Sequence, residues 1–251
     1  MAKILSIHSF RGGTGKSNIA ANVAVLLAMQ GQRVGVIDTD IQSPGIHVLF
    51  GLSGEEIGHA LNDYLWGRCD IEQTAHDMTH RLATGIPGRV YLIPSSIKPG
   101  EITRVLREGY DAQVLTRGLR KLIEALELDV LAIDTHPGLN EETLLSIVIS
   151  HVLAIILRPD QQDYEGTGVT LAVARQLQVP RMVLVVNKTP KGFDTGAVQE
   201  QVEQTYNCPV AAVLSHSEEM AALASGGIFA LHYPDHPVTT ALGEVATRLV
   251  C

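Results

Sequence analysis

The segment richest in chemistry reads Arg11-Gly12-Gly13-Thr14-Gly15-Lys16-Ser17. It follows an apolar run ending at Ile7 and opens an alanine-rich stretch of helical periodicity. Glycines let a backbone approach oxyanions without a Cβ in the way. Successive N–H groups then form a concave anion nest, and the following helix adds its positive N-terminal end. Lys16 supplies a point charge suited to β- and γ-phosphate oxygens. The Ser17 hydroxyl suits Mg²⁺, an ion that stays partly hydrated and bridges phosphates. Between a strand and a helix, this spacing predicts a phosphate-binding loop.

Such a loop needs a scaffold, and the rest of the chain supplies one in pattern. Short apolar runs at Ile4–Ile7, Val34–Ile37, Val90–Ile93, Val130–Ile133, Val152–Leu157, Met182–Val186 and Val210–Leu214 read as strands buried on both faces. Helical stretches alternate with them: Ser17–Gln30, Asp111–Leu126, Glu141–Ile149, Gly168–Leu177, Thr195–Thr205 and Thr239–Val250. This alternation predicts one α/β domain over residues 1–251, a doubly wound, mostly parallel sheet with helices on both faces. The segment from about Gly51 to Gly88 is the least regular and is expected to form short helices beyond the sheet edge. Ligands of such sheets bind beyond the carboxyl ends of the strands. The residues there are Arg11 to Gly13, Asp38 and Asp40, Asp134, Arg158 and Asn187.

Composition narrows the classes. The chain has 251 residues, 19 basic against 27 acidic, and a net charge of −8. A hydrophobic fraction of 45% with 18% charged residues excludes disordered, collagenous and coiled-coil classes. The acidic balance argues against a wide nucleic-acid footprint, which needs summed positive charge. Cys69, Cys208 and Cys251 lie too far apart for a CxxC pair or zinc spacing and read as reduced thiols of a cytoplasmic protein. The apolar stretch Leu144–Leu157 is interrupted by Ser146, Ser150 and His151 and is too short to span a bilayer. The first residues lack the pattern of a signal peptide.

The loop departs from GxxxxGK[ST], because Phe10 stands where the first glycine would be. It resembles instead the deviant KGGxGK[ST] loop of the MinD/ParA family of ATPases, with Arg11 in place of the signature lysine. The resemblance continues through IDTDIQSPG, LAIDTHPGLNEET, ILRPDQQD and VVNKTP, each at a strand end, and covers the chain from Lys3 to about Leu231. It implies a homodimer when ATP is bound, with ADP and ATP as nucleotides and Mg²⁺ as the ion. Gly12, Gly13, Thr14, Gly15, Lys16, Ser17 and Asn18 would hold the phosphates. Ser17, Asp38 and Asp134 would serve the metal, the aspartates through its hydration shell. Asp40 would orient the attacking water, Asn187 would read the adenine edge, and the LSHSEEM segment would close over the base. Arg11 would reach the partner's phosphates as the signature lysine does, or else pair with a local carboxylate; its charge is kept, but its planar fork differs from an ammonium. His136 replaces a proline of the family's usual DTPPG. Arg158 stands where a small polar residue is common and reads as a phosphate or partner contact, or as a salt-bridged surface residue.

The implied function is an ATP-driven dimerisation switch that positions or partitions a cargo, with a partner protein stimulating hydrolysis. Two alternatives remain. One is a nucleotide-gated adaptor with little intrinsic hydrolysis. The other is an Mrp-type iron–sulfur carrier, resembled by DTDIQSPGIHVLFG, although those carriers use a C-terminal CxxC that this sequence lacks. His76 and His80 sit four apart without a third ligand and do not read as a metal site. The basic groups between Lys98 and Lys121 read as a solvated helical face, with a local acidic-partner or nucleic-acid site as the alternative. Trp66, Tyr64 and Phe50 read as packing residues. The tail TTALGEVATRLVC lacks the basic face of a membrane helix, so no membrane anchor is expected.

Overall fold

Runs that are apolar on both pleat faces can satisfy their backbone only between neighbouring strands, and they can be covered only by helices above and below. A computed structural model, which describes residues 2–251, has that arrangement. Eight strands form one sheet: β1 (Lys3–His8), β2 (Arg33–Asp38), β3 (His76–Asp77), β4 (Arg89–Ile93), β5 (Val130–Asp134), β6 (Val152–Leu157), β7 (Met182–Thr189) and β8 (Val210–Ser215). Their order is β3-β4-β2-β5-β1-β6-β7-β8, parallel throughout except that β3 runs antiparallel to β4. All seven expected strands are present. The eighth, β3, is two residues long and carries no periodicity to read.

β1 lies between β5 and β6, where the winding reverses direction. On one face, the helices Lys16–Met29 and Pro237–Val250 close an apolar core with Ile19, Val23, Leu242 and Val245 fully or nearly fully buried. The other face carries two clusters, one around Leu119 and Leu122 of the helix Ala112–Ala125 and one around Leu171 and Val202.

Two helical expectations need correction. The helix expected from Gly168 starts at Gln161 and runs to Gln176. Asp160 caps it by accepting from the Asp163 amide at 3.0 Å, so the polar Gln161-Gln162-Asp163 start is helical despite Gly166 and Gly168. Gly166 is tolerated because the Phe10 ring occupies the space where its Cβ would stand. The region Lys98–Lys121 does not form one helical face. It is split into the helices Pro99–Glu108 and Ala112–Ala125 by Gly109, whose φ is +64°, and by an Asp111 cap. Several of its bases are already engaged. Arg104 stacks 3.9 Å from the Trp66 ring centroid and pairs with Glu108, and Lys121 bridges Asp70 and Glu72. The irregular segment does contain short helices, Leu61–Leu65 and Thr79–Leu82. Both sheet edges are blunted. One ends in the short β3, and at the other the Arg248 guanidinium donates to the Val210 carbonyl at 3.1 Å.

The helix after the phosphate loop is anchored at its far end as well. The Gly88 amide donates to the Ala28 carbonyl and the Arg89 amide to the Gln32 carbonyl, each at 3.0 Å. A Cβ on Gly88 would run into the Gln32 carbonyl oxygen and lie 2.7 Å from that of Ala28. Backbone cannot yield as a side chain can, so Gly88→Ala is expected to destabilise the fold by about 1–3 kcal/mol. Differential scanning calorimetry should show a melting temperature lower by roughly 2–10 °C.

Candidate active site

The loop between β1 and the helix Lys16–Met29 is shaped by two left-handed glycines, Gly13 at φ +78° and Gly15 at φ +96°. Its carbonyls are held from outside. The Ser9 hydroxyl donates to the Arg11 carbonyl, the Lys188 ammonium to the Gly13 carbonyl and the Asn187 amide nitrogen to the Thr14 carbonyl, each at 2.8 Å. Gly15 must be glycine for a second reason, since a Cβ there would collide with the Asn187 amide. The concave side opens on a cavity of about 240 Å³ lined by Gly12, Gly13, Thr14, Gly15, Lys16, Ser17, Asn18 and Asp40, with Ser9 and Pro137 at its margin.

Three buried charges lie beneath this cavity. Sheet register pairs Asp38 of β2 with Asp134 of β5. Lys16 reaches Asp134 at 2.6 Å, and both side chains are almost wholly buried. Burial pushes the Asp38 carboxyl well above the usual carboxylate range, Asp134 pushes it further, and Lys16 opposes the shift. Asp38 also accepts from the backbone amides of Asp40 at 3.0 Å and Gly45 at 3.2 Å, which fixes the loop after β2. Asp40 stands at the rim, 3.8 Å from the His136 imidazole. Burial raises its carboxyl, with Lys16 and then His136 opposing. One ammonium faces two buried carboxyl groups, so Asp38 has no counter-ion of its own, and the Ser17 hydroxyl begins the helix beside it. Hard oxygen donors of this kind fit Mg²⁺. Among the described residues no three His, Cys, Asp or Glu side chains converge as a self-sufficient metal site, so phosphate and water oxygens would complete the ion's shell.

Next to the loop, Asn18, Asn187, Lys188, His216, Ser217 and Met220 line a second cavity of about 170 Å³. The short helix Glu218–Leu223 flanks it, in the LSHSEEM segment, with Lys191 bound to Glu218 at 2.6 Å. On the other side of the loop, Arg11 turns away from the phosphate cavity. Its guanidinium lies 3.2 Å from Asp160 and 3.4 Å from Asp163 of its own chain. Arg158 grips the same two carboxylates, at 3.0 and 3.1 Å.

Residues 2–188 match the family described as AAA domain. The chain belongs to the AAA domain family. It is 29% identical over its whole length to an uncharacterized ATP-binding protein of Methanocaldococcus jannaschii, of which it covers 88%. It is 24% identical, over 98% of its length and 85% of the relative, to an iron–sulfur cluster carrier protein of Pyrococcus furiosus. The fold is that of the MinD/ParA P-loop proteins. Septum site-determining protein MinD of Pyrococcus horikoshii, complexed with Mg-ADP, superposes at a TM-score of 0.77 with 20% identity, covering 99% of this chain and 96% of that one. A ParA family ATPase of Chlorobium tepidum superposes at 0.78 with 18% identity, covering 98% and 99%.

In this AAA domain the residues from Gly12 to Asn18 line one concavity with Asp40, and Lys16, Asp38 and Asp134 meet beneath it. Asn187 is beside the loop, against Thr14. Arg11 is the one expected site residue standing apart, on carboxylates of its own chain. His76 is drawn off to the His59 carbonyl at 3.2 Å. Sequence reading missed four participants. Asp163 is one helical turn from Asp160 and could have been found by that spacing. The Lys188 contact depends on a backbone irregularity, and the His136–Asp40 approach depends on two loops meeting. His8 gives no signal in the sequence, being one polar residue at the end of an apolar strand.

His8 is wholly buried under the loop, and its Nδ1 lies 2.9 Å from the Thr135 hydroxyl. That hydroxyl donates to the Ile7 carbonyl, so it accepts from Nδ1–H, and the neutral ring keeps an unpartnered Nε2. Burial first, then Lys16 and His136, lower the imidazole from 6.5 to about 3. The unfolded chain therefore takes up a proton that the folded chain refuses, and stability falls as pH drops from 6.5 towards 3. His8→Asn keeps a nitrogen donor near the place of Nδ1 but cannot titrate. Between pH 6.5 and about pH 5, wild type should lose roughly 1.5 kcal/mol relative to His8→Asn in urea denaturation. Parallel stability curves would contradict the buried neutral ring.

Proposed function

We propose that this AAA domain is a Mg²⁺-dependent ATP hydrolase whose ATP state joins two copies face to face, and that it positions or partitions a cargo in the cytoplasm. The reading rests on one observation: a glycine-lined anion nest lies directly above a buried Lys16–Asp134–Asp38 cluster, with Asp40 at its rim. The Mg-ADP complex of a MinD protein with this fold supports the nucleotide and the ion. Among the described residues no helix is long and apolar enough to cross a membrane.

The backbone amides and the helix end bind the triphosphate. Lys16, ordered by Asp134, lines the cavity and supplies the charge for the β- and γ-oxygens. The chemistry that bound Mg²⁺ would supply is neutralisation of charge on the transferring phosphoryl group. Ser17 would hold the ion directly, and Asp38 and Asp134 would do so through water. Asp40 orients the attacking water, and its raised proton affinity favours acceptance of a hydrogen bond from that water. For the base, the donor role of the Asn187 nitrogen towards Thr14 leaves the amide oxygen as acceptor, which suits the amino group of adenine. In the dimer, Arg11 leaves Asp160 and Asp163 for the partner's phosphates. Arg158 stays on both carboxylates, so they are not stranded when Arg11 departs.

The paired state of Arg11 also favours a second reading, an adaptor that binds ATP and barely hydrolyses it until a partner protein frees the arginine. The iron–sulfur carrier reading draws on a named relative. The cysteines here offer it little, being one half-buried, one buried and one exposed thiol without a CxxC.

Lys16→Ala should abolish Mg-ATP binding by isothermal titration calorimetry. Removing one partner of a buried pair costs about 3–5 kcal/mol, so its fold is checked by circular dichroism. Asp40→Ala should keep ATP binding, slow phosphate release about 100-fold and accumulate dimer by light scattering. Normal turnover in that variant would remove Asp40 from the reaction. Wild-type light scattering with ADP and with a slowly hydrolysed ATP analogue tests the switch, which predicts monomer with the first and dimer with the second. Phosphate release with and without candidate partners separates the adaptor from the hydrolase.

A further inference from the structure

Successive side chains of a strand point to opposite faces of the sheet, so Asn187 and Lys188 at the end of β7 should not both reach the phosphate loop. They do so because the ladder is broken there. Val186 pairs with Val213 and Thr189 with Ser215 of β8, so β7 spends one extra residue over the interval. Lys188 takes up that residue in the left-handed region, at φ +58°. This conformation is uncommon for a side chain of its kind and collects at functional positions. The bulge re-aims Lys188 onto the loop, where its ammonium meets the Gly13 carbonyl beside the Asn187–Thr14 contact, each at 2.8 Å.

The consequence follows from peptide geometry. In a trans peptide plane the C=O and the next residue's N–H point in opposite directions. A carbonyl held from outside therefore aims the following amide inward. Lys188 on the Gly13 carbonyl directs the Thr14 N–H into the nest, and Asn187 on the Thr14 carbonyl directs the Gly15 N–H. We propose that Lys188 is a positioning residue for phosphate binding: from outside the loop, and without its ammonium touching the phosphates, it pre-sets the Gly13–Thr14 peptide so that its N–H faces the phosphate. The proposal deepens the nucleotide reading above and rests on it. It gives the bulge and the left-handed lysine a single purpose.

Lys188→Met keeps the methylene stem that lines the neighbouring cavity and removes only the donor. Lys188→Arg restores a donor. The probes are Mg-ADP and Mg-pyrophosphate, titrated by calorimetry into wild type and both variants, with melting temperatures measured on the free proteins. Loss of a charge-assisted bond that orders the nest should weaken both probes by a similar factor, about tenfold, in Lys188→Met. The free protein should melt as wild type does, because the contact is solvent-exposed, and Lys188→Arg should recover most of the affinity. A Lys188→Met affinity for Mg-ADP within about twofold of wild type would overturn the proposal. So would weakening of Mg-ADP with pyrophosphate unchanged, because Lys188 would then act on the base. If wild type bound neither probe, the nucleotide reading itself would fail, a result distinct from either.

Discussion

One ammonium facing two buried carboxylates is the constraint around which the ligand edge is arranged. Lys16 and Asp134 are in contact at 2.6 Å, and Asp38 stands on the neighbouring rung with no counter-ion of its own. Burying charge is expensive unless it is paired and hydrogen-bonded. The fold meets that cost locally. Strand order sets β5 between β1 and β2, so that Lys16 can reach across to Asp134. The loop after β2 wraps Asp38 with two backbone amides. Asp38, left without a counter-ion, suits a cation better than a further anion.

The same economy appears on both flanks of the loop. On one side two arginines share two carboxylates, so either arginine can leave without exposing an unpaired buried acid. On the other, a left-handed lysine and an asparagine hold carbonyls that would otherwise be free to turn. Phe10 fills the hollow left by Gly166 and so sets the start of the loop against the helix Gln161–Gln176. The loop is therefore braced before any ligand binds, which reduces the ordering that binding must accomplish.

Much of this was legible in the sequence because it rests on strong local rules. Glycine spacing before Lys16-Ser17 marks the nest, and doubly apolar runs mark the parallel strands. The rule that ligands lie beyond strand ends singles out Asp38, Asp40, Asp134, Arg158 and Asn187. The features that stayed hidden depend on relations between distant segments. The β3–β4 pairing has only two rungs. The early start of the helix at Gln161 depends on a cap that a pattern weighted towards apolar residues ignores, and on a glycine made useful by an aromatic ring 156 positions earlier in the chain, Phe10 against Gly166. Lys188 reads as plain turn chemistry until the bulge is seen, and His8 reads as an interruption of a strand until its buried ring is found beneath Lys16.

The blunted outer strands have a consequence for how copies of this chain can meet. A two-residue strand presents almost no open backbone ladder, and at the opposite border an arginine occupies the Val210 carbonyl that an added strand would need. Exposed ladders invite indiscriminate strand addition. With one border short and the other partly occupied, self-association by sheet extension is disfavoured, and contact between copies is left to side chains and loops.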